Sequence, residues 1–362
     1  MRTIKISNGL KIAAIYASIF LGAGFASGQE LLQYFVGFGR IGLLGIVVSG
    51  VLFAFTGWAV LRICKREGIK NYHQLMRHLF GVKLGSIMEG AVVAFLFCLF
   101  IAMLAGAGAT GREAFGLPFT VSSVATGGAV FLVLCFGLTG IVKVNLILAP
   151  FMLLGGIFIG LFSFFAYTYP VFSILPGRSI GIVWLLSAMV YASYNLVTGV
   201  PILAAMSKMA TKKKDAMLGG LLGGGVITLL GICMALPLFL YHANVISLEI
   251  PFLYIVSQHG NSFRLFYMAV LIAAIMTTAA CNAFAVTEWL KARGYSGRIK
   301  VAAVLCMVGV AASHIGFSNI VAYVYPAFGF LGLFKILVVL WHGFCYTGGN
   351  TNVKDDTQWS QE

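Results

Sequence analysis

The chain is divided into a series of apolar runs, each about as long as a helix that crosses a lipid bilayer. Such a helix needs about 20 mostly apolar residues. Ten runs of this kind cover residues 10–37, 41–61, 85–108, 121–138, 144–168, 180–206, 216–241, 265–290, 299–315 and 319–344. Only 9% of the 362 residues are charged, against about 25% in soluble proteins. The sequence therefore predicts an all-α integral membrane protein with ten transmembrane helices.

The basic residues indicate how these helices are oriented. Lysine and arginine collect in the cytoplasmic loops of membrane proteins. With the N-terminus placed inside, 19 of the 24 basic residues fall on the inner side, four fall on the outer side, and Lys335 lies within a span. The sequence predicts a multi-pass protein of the cell (cytoplasmic) membrane with both termini in the cytoplasm. Residues 1–345 form a single transmembrane domain in this interpretation, and residues 346–362 form a polar cytoplasmic tail.

Two amphipathic stretches of equal length divide the domain into similar halves. Residues 71–81 follow the second span on the inner side, and residues 250–260 follow the seventh span on the outer side. Each stretch ends in glycine just before a long apolar run. The same insertion with opposite sidedness predicts an inverted repeat of five plus five spans, with halves of about 10–168 and 180–344.

Glycine and proline interrupt the first span of each half. Span one contains Gly22, Gly24 and Gly28 within seven residues, and span six contains Gly199 and Pro201. Relative to alanine, glycine costs a helix about 1 kcal/mol and proline about 3 kcal/mol, so we expect helices one and six to be broken. A break in a bilayer is tolerated where it lines a polar cavity, and its freed amides and carbonyls suit a carboxylate or a small cation. The alternative is that the glycines allow close helix packing.

Polar side chains accompany both interruptions, and a third polar cluster lies in span eight. The residues at the two interruptions are Ser27, Gln29, Glu30, Tyr194, Asn195 and Thr198. In span eight, Thr278, Cys281 and Asn282 share one helical face, and Thr277 is adjacent to it. Two threonine hydroxyls together with carbonyls of a broken helix would form a sodium site. The alternative is that these hydroxyls bond to carbonyls of their own helix.

Two strings carry a resemblance to a known family. GAGFASGQE in span one and YASYNLVTGVP in span six resemble the YkvI-type membrane proteins of the amino acid–polyamine–organocation superfamily. Together with the ten spans and the repeated amphipathic loop, they look like the LeuT fold over the whole chain to about residue 345. The resemblance implies a substrate between the broken parts of spans one and six, flanked by spans three and eight. It also implies, for sodium-coupled members, an ion between spans one and eight.

Carried over by position, the resemblance implies two sets of site residues. Substrate contacts would come from Ala23, Gly24, Phe25, Ser27, Gly28, Tyr194, Asn195 and Thr198. A sodium ion would meet the carbonyls of Ala23 and Ala26 and the hydroxyls of Thr277 and Thr278.

Three ionisable residues lie inside the predicted spans. An intramembrane charge is costly and indicates a function. Glu30 is the candidate for proton coupling or for binding a substrate amine, and Lys335 would replace a sodium ion or pair with a carboxylate. Glu89 lies one turn into span three, and we expect it to reach the interface near Arg77 and Lys83.

These observations favour a secondary active transporter of a small organic solute, an amino acid or related amine, that works by alternating access. Sodium is preferred over protons as the coupling ion because of the two threonines, and no other cofactor is expected. The expected partners are the substrate and membrane lipid, without nucleic acid. The alternatives are a transport-fold sensor or receptor and an uncoupled facilitator. An enzyme is not expected, because the sequence lacks the Gly-x-Ser-Gly and HExxH motifs and an intramembrane aspartate pair.

Overall fold

The computed structural model describes residues 7–20, 22–136, 181–295 and 297–345, with four single positions (158, 161, 162 and 165) between the second and third ranges. The helices of the first half are α1 Asn8–Ile19, α2 Ala23–Ser27, α3 Gln29–Tyr34, α4 Arg40–Arg66, α5 Tyr72–Phe115 and α6 Phe119–Phe136. The helices of the second half are α7 Val183–Met206, α8 Lys213–Leu240, α9 His242–Val245, α10 Pro251–Ser257, α11 Asn261–Ala292, α12 Arg298–Ser313, α13 Phe317–Asn319 and α14 Tyr325–Phe344. A π-helical turn, Ile320–Val324, joins α13 to α14.

The helices agree with the apolar runs of the sequence. Within the described ranges, six helical segments are long and apolar enough to cross a membrane, and α6 and α12 supply two shorter apolar helices. Span one is present as the three short helices α1, α2 and α3. Predicted span five (144–168) lies outside the described residues except at single positions, and the predicted tail (346–362) lies wholly outside them. The described part of the chain is thus all-helical, and its long apolar helices are those of a membrane protein with several spans.

The helices pack in two groups with the candidate site between them. In the first group, α4 packs against α7 and α8, and α1 packs against α8. In the second group, α5 packs against α6, α11 and α12, and α6 also packs against α12. The last helix, α14, lies against α7 and α4.

Glycines bring α4 and α8 close together. A side chain at Gly220 would meet the backbone of Trp58, and one at Gly224 would meet the backbone of Ala54. Small residues at helix crossings allow this close approach in membrane proteins. Here the glycines serve packing.

Both amphipathic stretches are helical and end at a glycine with positive φ. The first is the start of α5, where a kink at Gly81 (φ 73°) separates it from the long apolar part of the helix. The second contains α10 and ends at Gly260 (φ 112°), which precedes α11. The glycines are needed because other residues rarely adopt this conformation. The two halves therefore share, at corresponding places, a short helical stretch that ends at a positive-φ glycine before a long helix.

The loops rich in lysine and arginine lie at one end of the bundle, which we call the basic side. They are the loops after α4, after α7 and after α11. The hydroxyl of Ser207 donates to the carbonyl of Ile69 at 3.2 Å and joins the first two. α11 begins beside the end of α5, where Arg264 donates to the Ala114 carbonyl at 2.5 Å, so the loop after α11 lies at the end where α5 begins. We call the opposite end the far side.

Candidate functional site

The first span is broken, as the sequence predicted, and the structure has two interruptions in it. α1 ends at Ile19, and α2 begins only after Gly22, which is extended (φ −69°, ψ 171°). The second interruption is Gly28, whose φ of 83° separates α2 from α3. A side chain at Gly28 would also meet the ring of Phe252 in α10. Glycine is required there by backbone conformation and by this contact.

The predicted break in the sixth span is wrong. Val183–Met206 is one continuous helix that includes Pro201. Proline has no N–H, so it leaves the carbonyl four residues earlier, that of Val197, without its helical donor. The ammonium of Lys335 in α14 donates to this carbonyl at 3.5 Å. The Val197 carbonyl thus has a donor from another helix, and α7 continues through Pro201.

A cavity of about 630 Å³ lies between the broken span one and the helices α5, α7 and α11. It gathers residues that the sequence predicted for the substrate site, the ion site and the coupling site. Those on its wall are Ala23, Gly24, Glu30, Tyr194, Asn195, Thr198 and Thr278. The rings of Phe95 and Tyr325 complete the wall around Glu30.

Glu30 is the buried acid of this cavity. Its side chain is only 7% exposed, and Oε2 accepts a hydrogen bond from the Tyr194 hydroxyl at 2.8 Å. Oε1 lies so close to Gly24 that any side chain there would collide with it. The Tyr194 ring packs against those of Tyr34 and Tyr325, at 5.4 and 5.0 Å between centroids. Among the described residues, Glu30 has a neutral hydrogen-bond partner and no ion pair.

Four buried polar groups on the cavity wall lack a hydrogen-bond partner within the described structure. They are the hydroxyls of Tyr72 and Tyr325, the amide nitrogen of Asn282 and the indole nitrogen of Trp289. Indole N–H can only donate, and an amide NH₂ is likewise a donor. Buried polar groups are normally paired, so these four side chains of the cavity wall still have hydrogen bonds to make.

Three predicted substrate residues shape the site from outside the cavity lining. Phe25 is buried in the core, with 2% of its surface exposed. The Ser27 hydroxyl donates to the Gly24 carbonyl at 2.7 Å and accepts from the backbone N–H of Gln29 at 3.2 Å. These two bonds fix the turn at Gly28.

The four groups of the predicted sodium site do not form one set of ligands in this arrangement. The Ala26 carbonyl accepts a hydrogen bond from the Tyr267 hydroxyl at 2.8 Å. Tyr267 precedes Thr277 by ten residues of the same helix, about 15 Å at 1.5 Å per residue. A tyrosine side chain is shorter than this, so the Ala26 carbonyl that Tyr267 holds does not reach Thr277. Thr277 donates to the Ala274 carbonyl at 3.2 Å, in its own helix. Ala23 and Thr278 both face the cavity.

The cavity extends toward the basic side. Tyr72, His73, Glu89 and Trp289 line this part of it. His73 Nδ1 and Glu89 Oε1 are 2.6 Å apart across the kink at Gly81. Glu89 thus faces the mouth of the cavity on the basic side, and its described ion-pair partner is the exposed His73. That it reaches the membrane interface stays a prediction.

The sequence did not single out Tyr72, His73 or Trp289 as site residues, although two signals pointed to them. Trp289 continues the polar face of α11, seven residues after Asn282. Tyr72 and His73 belong to the first amphipathic stretch, which the kink at Gly81 allows to lie beneath the cavity.

Hydrogen bonds hold span one in place on the far side. Besides the bond from Tyr267, the side-chain amide of Gln29 donates to the Ser318 hydroxyl at 3.0 Å, and the Tyr34 hydroxyl donates to the Val321 carbonyl at 3.1 Å. These contacts connect the broken span to α13 and the π-helical turn.

A carboxylate network adds to the closure of the far side. Glu113 at the end of α5 accepts the backbone N–H groups of Glu249 and Ile250 at 2.9 and 3.2 Å. Glu249 in turn accepts from the Phe317 N–H at 3.2 Å and from the Arg112 guanidinium at 3.3 Å. The network ties the chain before α10 to α5 and α13. The cavity is therefore open toward the basic side and closed on the far side.

Two proteins of Bacillus subtilis are similar to this chain over most of its length. The uncharacterized membrane protein YkvI is 27% identical over 331 residues, which cover 89% of this chain and 92% of YkvI. The uncharacterized protein YyaD is 25% identical over 332 residues, which cover 92% of this chain and 96% of YyaD. No family model matches the chain.

Two solved proteins that share the architecture are membrane transporters. The inward-facing conformation of Mhp1 superposes with a TM-score of 0.56 at 15% identity, covering 92% of this chain and 76% of Mhp1. Mhp1 is a nucleobase-cation-symport-1 family transporter. A variant of the Eremococcus coleocola manganese transporter gives a TM-score of 0.63 at 14% identity, covering 96% of this chain and 82% of that protein. The chain is therefore similar to the YkvI-type membrane proteins, and its fold is that of the LeuT-type transporters.

Proposed function

We propose that the protein is a secondary active transporter of a small organic solute that carries an amine, an amino acid or a related compound. The observation that carries this proposal is Glu30, a buried carboxylate on a cavity wall with no cationic partner among the described residues. A buried charge is costly unless it is paired. The ammonium group of a substrate would supply the missing charge.

The unpaired donors on the same wall support a ligand that also carries acceptor oxygens. Asn282 and Trp289 lie on one face of α11, and Tyr72 lies at the mouth. A carboxylate or carbonyl oxygen near them would satisfy groups that otherwise stay unpaired at a cost of about 1–3 kcal/mol each. An amine at Glu30 and an acceptor at these donors is the pattern of an amino acid.

An organic substrate is favoured over a metal ion, although one structural neighbour is a manganese transporter. Hard divalent cations are held by several oxygen or nitrogen ligands. In the described ranges, no group of three or more histidine, cysteine, aspartate or glutamate side chains is placed to hold a metal. Glu30 alone, among tyrosine and phenylalanine rings, suits an organic cation better.

Alternating access is supported by the asymmetry of the cavity, which is open toward the basic side and closed on the far side. We place the basic side in the cytoplasm, with both termini, following the positive-inside rule. We propose sodium as the coupling ion, with the proton as the alternative. Ala23 and Thr278 on the cavity wall support a cation site. Ala26 and Thr277 would join it only after span one shifts along α11, because their groups are bonded elsewhere in this arrangement. A proton would instead be carried by Glu30.

A thermal-shift screen of the purified protein tests the proposal. The panel holds amino acids, amines and matched compounds without the amine, each in sodium chloride or potassium chloride. We expect amine-bearing compounds to raise the melting temperature of the wild type, more strongly in sodium, and to lose this effect in Glu30→Gln. Asn195→Ala, which alters the cavity wall, should weaken the response.

The control is Glu67→Gln, because Glu67 pairs with Arg66 outside the cavity. This variant should respond like the wild type. Equal stabilisation of wild type and Glu30→Gln by the same amines would contradict the proposed amine site. Equal responses in sodium and potassium would contradict sodium coupling and favour the proton.

A further inference from the structure

Pro201 leaves the Val197 carbonyl of α7 without its helical donor, as described above. Val197 is buried, so the protein, not water, must supply the missing hydrogen bond. An unpaired carbonyl here would favour local unwinding or bending of the helix. Yet α7 continues through Pro201 to Met206.

Lys335 is the group that meets this carbonyl. Its side chain is 2% exposed, and Nζ lies 3.5 Å from the Val197 oxygen and 5.5 Å from the centre of the Tyr72 ring. Among the described residues it makes no ion pair. A carbonyl dipole and an aromatic face are therefore the described partners of this buried ammonium.

The packing of α14 against α7 brings Lys335 to this place. A side chain at Gly329 would meet the backbone of Val190, and one at Gly332 would meet Ser193. The Ser193 hydroxyl donates to the Gly329 carbonyl at 2.5 Å. The two helices are thus fixed closely together one to two turns before Lys335.

The same turn of α7 presents Asn195 and Thr198 to the cavity. Lys335 itself is not part of the cavity wall, but Tyr72 is. The ammonium therefore contacts, from behind, one helix turn and one ring that the cavity uses.

We propose that Lys335 is a positioning residue of the cavity, whose ammonium takes the place of the N–H that Pro201 lacks and holds the turn carrying Asn195 and Thr198. In this role Lys335 neither binds substrate nor replaces a coupling ion. Lys335 is required because of Pro201, so the need for it disappears when position 201 regains an N–H.

A double-mutant cycle in the full chain tests whether the need for Lys335 depends on Pro201. The four proteins are the wild type, Lys335→Met, Pro201→Ala and the double variant, and the first readout is the thermal unfolding midpoint without ligand. We expect Lys335→Met to lower the midpoint when residue 201 is proline, and to lower it less or not at all when it is alanine. Equal lowering in both backgrounds would overturn the proposal.

A second readout follows the cavity face of α7 directly. Thr198→Cys is introduced in a background in which the seven native cysteines are replaced, and the rate of its reaction with N-ethylmaleimide is measured well below the unfolding midpoint. We expect Lys335→Met to change this rate at least about twofold, the lower end of couplings between contacting residues. The rate should return to the reference value in the double variant. A rate that Lys335→Met leaves unchanged, or that Pro201→Ala fails to restore, would contradict a positioning role.

Pro237 provides the matched control, because it also lies inside a helix, α8. Pro237→Ala should leave the effect of Lys335→Met unchanged, whereas rescue by Pro237→Ala would count against the proposal. If Lys335→Met cannot be purified, recovery of folded protein in the double variant with Pro201→Ala supports the proposal, and failure of both proteins overturns it. Neither readout uses a substrate, so these outcomes are independent of the amine site at Glu30.

Discussion

The chemistry of the cavity depends on Glu30 and on the single hydroxyl that contacts it. Sequence reasoning identified Glu30, Tyr194, Asn195 and Thr198 because polar residues beside helix breaks stand out in an apolar span. The partner relation between Glu30 and Tyr194 could not be predicted, because 164 residues separate them along the chain. Only the packing of span one against α7 brings their side chains together.

Tyr194→Phe should weaken the binding of an amine. The change removes the hydroxyl at 2.8 Å from Glu30 and keeps the ring. Hydrogen bonds to charged groups contribute about 1.5–3 kcal/mol, so we expect the dissociation constant of an amine found in the screen to rise at least about tenfold, measured by titration calorimetry. Tyr191→Phe is the control, because the Tyr191 ring packs against Tyr194 at 5.5 Å without a hydrogen bond to Glu30. A similar loss in both variants would contradict a specific role for the Tyr194 hydroxyl.

Among the helices, the two predicted breaks had different outcomes for a physical reason. In span one, Gly22 and Gly28 interrupt the helix, and each glycine itself adopts the non-helical backbone conformation that the break needs. In span six, the cost of Pro201 is offset by Lys335, which lies 138 residues after the carbonyl that it contacts. Helix propensity describes only local costs, so it cannot detect a donor from a distant helix.

Gly28→Ala should destabilise the protein more than glycine replacement at another positive-φ site. At Gly28 the added methyl meets both an unfavourable φ of 83° and the Phe252 ring. The control is Gly68→Ala, where φ is 65° but no atom lies within 4 Å. Left-handed strain costs about 1–2 kcal/mol in both, so the larger loss of thermal stability expected for Gly28→Ala measures the contact with α10. Equal losses would show that the Phe252 ring of α10 does not restrict the side chain at position 28.

The whole molecule places its cavity between two packed groups of helices and opens it toward one side. The apolar runs predicted nearly every described span, because bilayer thickness sets their length. Glu113 and Glu249 were not predicted as site residues. Each acts by holding backbone groups of another element, and this role leaves no pattern in the sequence.

Glu113→Ala should shift the protein away from the form with the far side closed. It removes the acceptor of two backbone N–H groups. A loss of about 1 kcal/mol would change the ratio of the form with the far side closed to the form with the far side open about fivefold. Native Cys281 lines the cavity and reports this ratio. In a protein that retains only this cysteine, alkylation from the basic side should slow relative to the unaltered protein. Glu67→Ala serves as the control, and an unchanged rate in Glu113→Ala would argue against this gate.

Uptake into proteoliposomes is the measurement that tests the central claim most directly. The substrate is the amine-bearing compound that stabilises the wild type most strongly in the thermal-shift screen, used in radiolabelled form. We predict time-dependent accumulation by wild-type proteoliposomes above empty liposomes, and none by Glu30→Gln. Binding without uptake by the wild type, or equal uptake by both proteins, would contradict a transporter whose cavity acts through Glu30.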